Sequence, residues 1–237
     1  MSYFQSGQFL SIFSTWADTL YFKQYWIEQI KSFMNFPLNL PKGVHQIELI
    51  DPVCRDYLFV FGIDTDIEMH RNEVRKKVRN ISRVIIGGIL DCNLDEIELL
   101  VMPGQPVRLS NGHDSVGLSI SHEIGMSLLA VNLRGAVGVD LILLDEDFDL
   151  ASDYALVSID YLGMEKFNFI ENQPDEHKNL LFSCAWTEME AALKCQELNL
   201  CEWNESLAAA KEKCLNIKLD LHCGMVGSVS ILKEGYF

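Results

Sequence analysis

The run "SVGLSISHEIGMSLLAVNLRGAVGVDLILL", Ser115 to Leu144, limits the fold more than any other part of the chain. It reads as three short strands, "SVGLSISHE", "MSLLAVNLRG" and "AVGVDLILL", separated by turn residues. Within it lies the longest apolar stretch, Gly125 to Leu144. Asn132, Arg134 and Asp140 break that stretch too often for a membrane span. Asp140 is the most informative break, because a carboxylate in an apolar strand must be hydrogen-bonded, paired or bound to a metal. Two readings stand: a strand-end Asp satisfied by backbone N–H groups, or a site carboxylate.

The flanks extend the pattern. "QIELI", "DYLFVFGI" and "EIELLVM" read as strands, the last stopped by Pro103-Gly104. Ile67 to Leu90 reads as a helix with a strongly basic start. Helical segments are expected around 150–172, then a loop at "QPDEH" broken by Pro174, then a helix over roughly 177–199. "LNIKLDLHC" and "GSVSILKE" close the chain as strands with alternating apolar positions. Residues 1–45 read as short helices or loops. The expected class is α+β, with two similar subdomains side by side over 1–115 and 116–237. A length of 237 residues accommodates either one large domain or two small ones.

Charge narrows the function classes. With 34 acidic and 19 basic residues the net charge is −15, so nucleic acid is an unfavourable partner. The seven cysteines are odd in number and contain no C-x-x-C, which argues against a disulfide framework or a zinc ribbon. Reduced thiols in a cytoplasmic protein are the simplest account. The aromatic-rich start lacks the basic and continuous apolar regions of a signal peptide.

Four further features carry candidate chemistry. On the helix "FSCAWTEMEAALKCQE", Trp186, Glu190 and Lys194 are spaced by four and share a face, away from Phe182, Ala185, Met189, Ala192 and Leu193. Glu190 and Lys194 are either an exposed i,i+4 pair or part of a site. "SISHE" places Ser119, Ser121 and His122 at a strand end, where they are either structural or donors to a phosphate. Arg71, Arg75, Arg79 and Arg83 form one cationic stripe, either a solvated face or a receiver for a phosphate or an acidic partner. Asp145, Asp147 and Asp149 imitate the start of a calcium loop. Leu150 and Leu156 stand where its Gly and Glu are required, so a solvated acidic loop is expected.

Taken in order, "SISH", "GVD" ending at Asp140, and W-T-x-x-E-A-x-x-K from Trp186 to Lys194 resemble the 4′-phosphopantetheinyl transferases of the larger, surfactin-synthetase-activating type. The resemblance covers roughly residues 67–220. It implies a pseudo-dimer of two α+β halves with coenzyme A in the cleft between them. It also implies transfer of the phosphopantetheine arm to a serine of an acyl or peptidyl carrier protein, releasing adenosine 3′,5′-bisphosphate. Asp140 and Glu190 would be Mg²⁺ ligands, Lys194 would contact the same phosphates, and Glu190 would help deprotonate the carrier serine. Ser121 and His122 would hold the 3′-phosphate of coenzyme A. Arg75, Arg79, Arg83, Gln105 and Pro106 would add contacts to coenzyme A. A monomer is expected, since two fused halves already form the cleft.

The chain departs from that family at three positions. Ile142 stands where a third acidic ligand is common, Gln105 replaces the lysine of a G-K-P motif, and Gly87 stands where an arginine is often found. The alternative is therefore a non-catalytic relative that binds coenzyme A or a carrier protein.

Overall fold

The computed structural model describes residues 40–49, 54, 56–102, 105–110, 113–144, 154–222 and 224–233. Residues 1–39, and the acidic run with Asp145, Asp147 and Asp149 for which a solvated loop is expected, lie outside them. The chain from Leu40 onward forms one unit.

Its first elements are β1 (Val44–Ile47), β2 (Leu58–Asp64), α1 (Arg71–Leu90), β3 (Leu99–Leu100), β4 (Arg108–Leu109), β5 (Gly117–Glu123) and β6 (Met126–Asn132). There follow β7 (Val137–Leu143), α2 (Tyr154–Val157), a π-helical turn (Ser158–Leu162), α3 (Met164–Glu171), α4 (Asp175–Cys195), α5 (Glu205–Glu212), β8 (Cys214–Leu219) and β9 (Met225–Leu232). The fold is mixed helix and sheet, as the alternating patterns predict.

Two antiparallel sheets dominate. One has the order β1-β2-β6-β5 and the other β7-β9-β8. The three segments of the Ser115–Leu144 run become β5, β6 and β7. A two-residue turn at Ile124-Gly125 joins the first pair, Glu123 facing Met126, and Gly125 takes the φ of +83° this turn requires. The chain changes sheets at residues 133–136, so β5 and β6, which follow residue 116, pair into the sheet that holds β1 and β2. A parallel bridge between Val116 and Gly135 starts β5 alongside β7, and the Val139 N–H donates to Ser119 Oγ at 3.0 Å. The core gathers side chains from both sheets, including Leu58, Val60, Leu128, Val139 and Val229.

Three local expectations change. "EIELLVM" yields only the two residues of β3, preceded by a 3₁₀ turn at Leu94–Glu96. Arg83 explains this: its guanidinium donates to the carbonyls of Ile97 (2.8 Å) and Leu94 (2.7 Å), tying the segment to α1. The loop at "QPDEH" is confined to Gln173-Pro174. Asp175 and Glu176 already form the first turn of α4, where the helix dipole favours acidic side chains. Helix α5 is additional to the expected elements, and Asn204 caps it by accepting from the Leu207 N–H at 3.0 Å.

Helix α4 lies on the β7-β9-β8 sheet and buries Ala185, Met189, Ala192 and Leu193. Gly138 sets the depth of this contact: a methyl group there would overlap the Ala191 carbonyl and the Cys195 N–H. Gly138→Ala should therefore cost roughly 1–3 kcal/mol, as other overpacked cores do. Urea unfolding would measure the loss. Among the described residues no helix is long and apolar enough to cross a membrane.

Candidate active site

Strand β7 carries Asp140 into the space between β5 and α4. The carboxylate is buried, with its side chain only 11% exposed. Two groups meet its Oδ1. Ser121, on β5, donates its hydroxyl at 2.8 Å, and the Lys194 ammonium, on α4, donates at 2.6 Å. Lys194 also reaches Ser121 Oγ and the Val139 carbonyl, each at 3.2 Å. Asp140 is thus no strand-end residue held by backbone N–H groups. It joins three elements through side chains.

Glu190 lies one turn before Lys194 on α4 and faces the same cleft. Burial first, and then the negative charge of Asp140, hold its carboxyl above the usual carboxylate range. Lys194 acts in the opposite direction. Lys194 therefore pairs across the fold with Asp140 instead of along the helix with Glu190. Trp186, packed edge-on against Tyr161, completes the helix side of the cleft.

The cleft measures about 380 Å³. Arg71, Ser121, His122, Asp140 and Ile142 are among the residues that line it. Position 142 thus faces the cleft from the same side of β7 as Asp140, and the side chain there is apolar. His122 Nδ1 lies 2.8 Å from Ser127 Oγ. When Ser127 donates that bond, Nε2 carries the ring proton and offers a neutral donor. Burial, followed by the charges of Arg75, Lys194, Arg71 and Arg79, lowers the His122 pKa to about 4. The first three arginines of the stripe thus act electrostatically on the His122 side of the cleft.

The fourth does not share that role. Arg83 spends its guanidinium on the backbone of residues 94–97. Gly87, one turn later, accepts the Cys92 N–H at 3.0 Å, and a side chain there would press on the Cys92 carbonyl. Gln105 and Pro106 line a separate cavity of about 210 Å³ that adjoins the cleft through Ile120 and Lys194. Arg108 and Glu197 form an ion pair at 2.6 Å beside it, with Glu197 in the left-handed region at φ 58°. Sequence reasoning missed this pair, since no local spacing links residues so far apart in the chain.

His122 supplies a direct check. Its ring should stay neutral in the folded protein from pH 8 down to about 5, as followed by imidazole nitrogen shifts. The unfolded chain takes up that proton first, so stability should fall as pH drops from 6.5 toward 4.

Among the described residues no group of three or more His, Cys, Asp or Glu side chains is placed to hold a metal ion. The arrangement is a polar, partly enclosed cleft lined by three carboxylates (Glu123, Asp140 and Glu190), Lys194 and Arg71, and the added positive potential of Arg75 and Arg79 at His122 suits that side to an anionic group.

No family model matches the chain. Over 119 residues it is 33% identical to the 4′-phosphopantetheinyl transferase HetI of Nostoc sp.. The match covers 49% of this chain and 48% of that protein, so the chain spans about half the length of the curated relative it matches.

Proposed function

We propose that the chain is a 4′-phosphopantetheinyl transferase of the larger, surfactin-synthetase-activating type. In this reading it moves the phosphopantetheine arm of coenzyme A onto a serine of an acyl or peptidyl carrier protein. The observation that carries the reading is the meeting of Ser121, Asp140 and Lys194 from three elements in one cleft with Glu190 and His122. The likeness to HetI supports it. The pseudo-dimeric arrangement, the division at 115/116, the monomeric state and the cytoplasmic setting belong to the same proposal.

A divalent cation suits the donor set. Asp140 and Glu190 line one cleft, and the charge of Asp140 bears on the Glu190 carboxyl, a repulsion that a hard cation relieves. Mg²⁺ keeps several waters, so these two carboxylates would hold it without a ligand from Ile142. When bound it would neutralise charge on the pyrophosphate oxygens.

The chain's own residues supply the rest. Neutral His122, together with the positive charges of Arg71, Arg75 and Arg79 that bear on it, offers a donor and positive potential to the 3′-phosphate of coenzyme A. Ser121 has given its proton to Asp140, so its first task is to orient that carboxylate. Lys194 stands where it can turn from Asp140 to a phosphate oxygen. Glu190, its basicity raised by burial, accepts the proton of the carrier serine. The serine oxygen then bonds to the phosphorus nearer the pantetheine. The P–O bond to the nucleotide breaks, and adenosine 3′,5′-bisphosphate leaves with that bond's electron pair.

Ile142 at the cleft wall favours a second reading, a non-catalytic binder of coenzyme A or a carrier protein. Intact-mass analysis of several apo carrier proteins, after incubation with the chain, coenzyme A and Mg²⁺, separates the two. A mass gain on a carrier serine supports transfer. Coenzyme A binding with no gain on any carrier supports the binder.

A further inference from the structure

We infer that Lys194 closes the cation site of the resting chain, so that a divalent cation binds well only together with an anionic diphosphate ligand that draws the ammonium off Asp140. This rests on the proposed transferase reading and concerns the regulation of that same cleft.

The geometry is specific. Lys194 Nζ sits 2.6 Å from Asp140 Oδ1 and 3.2 Å from both Ser121 Oγ and the Val139 carbonyl. Three acceptors on β5 and β7 therefore hold one ammonium, whose side chain is 32% exposed. An ammonium with three well-placed acceptors is itself a bound cation. A metal ion at Asp140 would stand within a few ångströms of it, and two positive charges so close in a half-buried cleft repel strongly.

The rest of the cleft does not offset that repulsion. Three carboxylates, Glu123, Asp140 and Glu190, line the cleft against two cations, Lys194 and Arg71, so a single carboxylate is in excess. Position 142, which faces the same space, contributes an isoleucine. A diphosphate changes both sides of this balance. Its oxygens accept from Lys194 in place of Asp140, and they supply the ligand atoms that Ile142 lacks. Cation and ligand should therefore bind with positive coupling, each strengthening the other by the same factor.

The test uses Mn²⁺ as an EPR-visible probe. Free Mn²⁺ is titrated against the wild-type chain alone, the wild type with coenzyme A, and Lys194→Gln alone. Lys194→Gln is expected to bind Mn²⁺ about tenfold or more tightly than the wild type, since this removes a full positive charge beside the ligand. Coenzyme A should tighten Mn²⁺ binding to the wild type by a similar factor, beyond the chelation seen with coenzyme A and Glu190→Gln. Equal Mn²⁺ affinity of wild type and Lys194→Gln overturns the inference, as does unchanged affinity when coenzyme A is bound. If the glutamine variant fails to fold by circular dichroism, Lys194→Met serves for the same comparison. Coenzyme A binding in the presence of Mn²⁺ is measured alongside. Its absence defeats the transferase reading, while the lysine comparison still decides the inference.

Discussion

Replacing Asp140 by alanine should cost the protein both its fold stability and its chemistry. The stability loss is expected at roughly 2–3 kcal/mol, read from urea unfolding. Removing one partner of a buried ion pair leaves the other uncompensated, and the partial exposure of Lys194 moderates the penalty. The Ser121 hydroxyl also loses the acceptor it now meets at 2.8 Å. Lys194→Ala should be destabilising by the mirror argument. The double variant should fall well short of the sum, because the second substitution removes a group already stranded by the first. Full additivity would show that the 2.6 Å contact contributes nothing in solution. Transfer to a carrier should be lost in Asp140→Ala even at temperatures where the variant stays folded, since the carboxylate is one of the two proposed cation ligands.

Glu190→Gln should behave in the opposite way. Transfer is expected to drop by about a hundredfold or more, the usual scale for losing a positioned general base. Stability should hold or rise. Burial and Asp140 raise the folded-state pKa of Glu190, so an ionised carboxylate there is unfavourable. The sign follows from linkage: a carboxyl with a raised folded pKa weakens the fold as pH climbs past its unfolded value, and the cost persists at neutral pH. A neutral amide of the same shape removes that cost. Differential scanning calorimetry at pH 7.5 should show a melting temperature at or above that of the wild type. A clearly lower one would mean that Glu190 makes a structural contact instead. Loss of activity without loss of stability marks a residue placed for function at the expense of the fold.

Legibility in the sequence followed the range of the interactions. β5, β6 and β7 could be read because short apolar runs bounded by turn residues are local signals, and helix α4 because its apolar face repeats at helical spacing. Asp140 stood out because a carboxylate in an apolar strand has few explanations. Its partners were harder. Lys194 pairs naturally with Glu190 on a helical wheel, yet its ammonium crosses to β7, because Gly138 lets the helix and the strand approach closely. Ser121 was visible as a polar residue at a strand end, but its bond to Asp140 depends on β5 lying beside β7 across two sheets. The arginine stripe illustrates the same limit. Four arginines at regular spacing look equivalent, and only the fold shows that Arg83 holds residues 94–97 while Arg71, Arg75 and Arg79 bear on His122. The strand expected in "EIELLVM" was shortened to Leu99–Leu100 for a similar reason, since Arg83 takes the Ile97 carbonyl within that segment and the Leu94 carbonyl just before it.

The most direct test of the proposed transferase joins two readouts of one reaction. An apo carrier protein is incubated with coenzyme A, Mg²⁺ and either the wild-type chain or Glu190→Gln. Carrier mass and adenosine 3′,5′-bisphosphate are then followed together. The account predicts that the wild type adds one phosphopantetheine per carrier with one bisphosphate released, and that Glu190→Gln does neither at a comparable rate. Coenzyme A bound with every carrier unmodified, or transfer undiminished in Glu190→Gln, would contradict it.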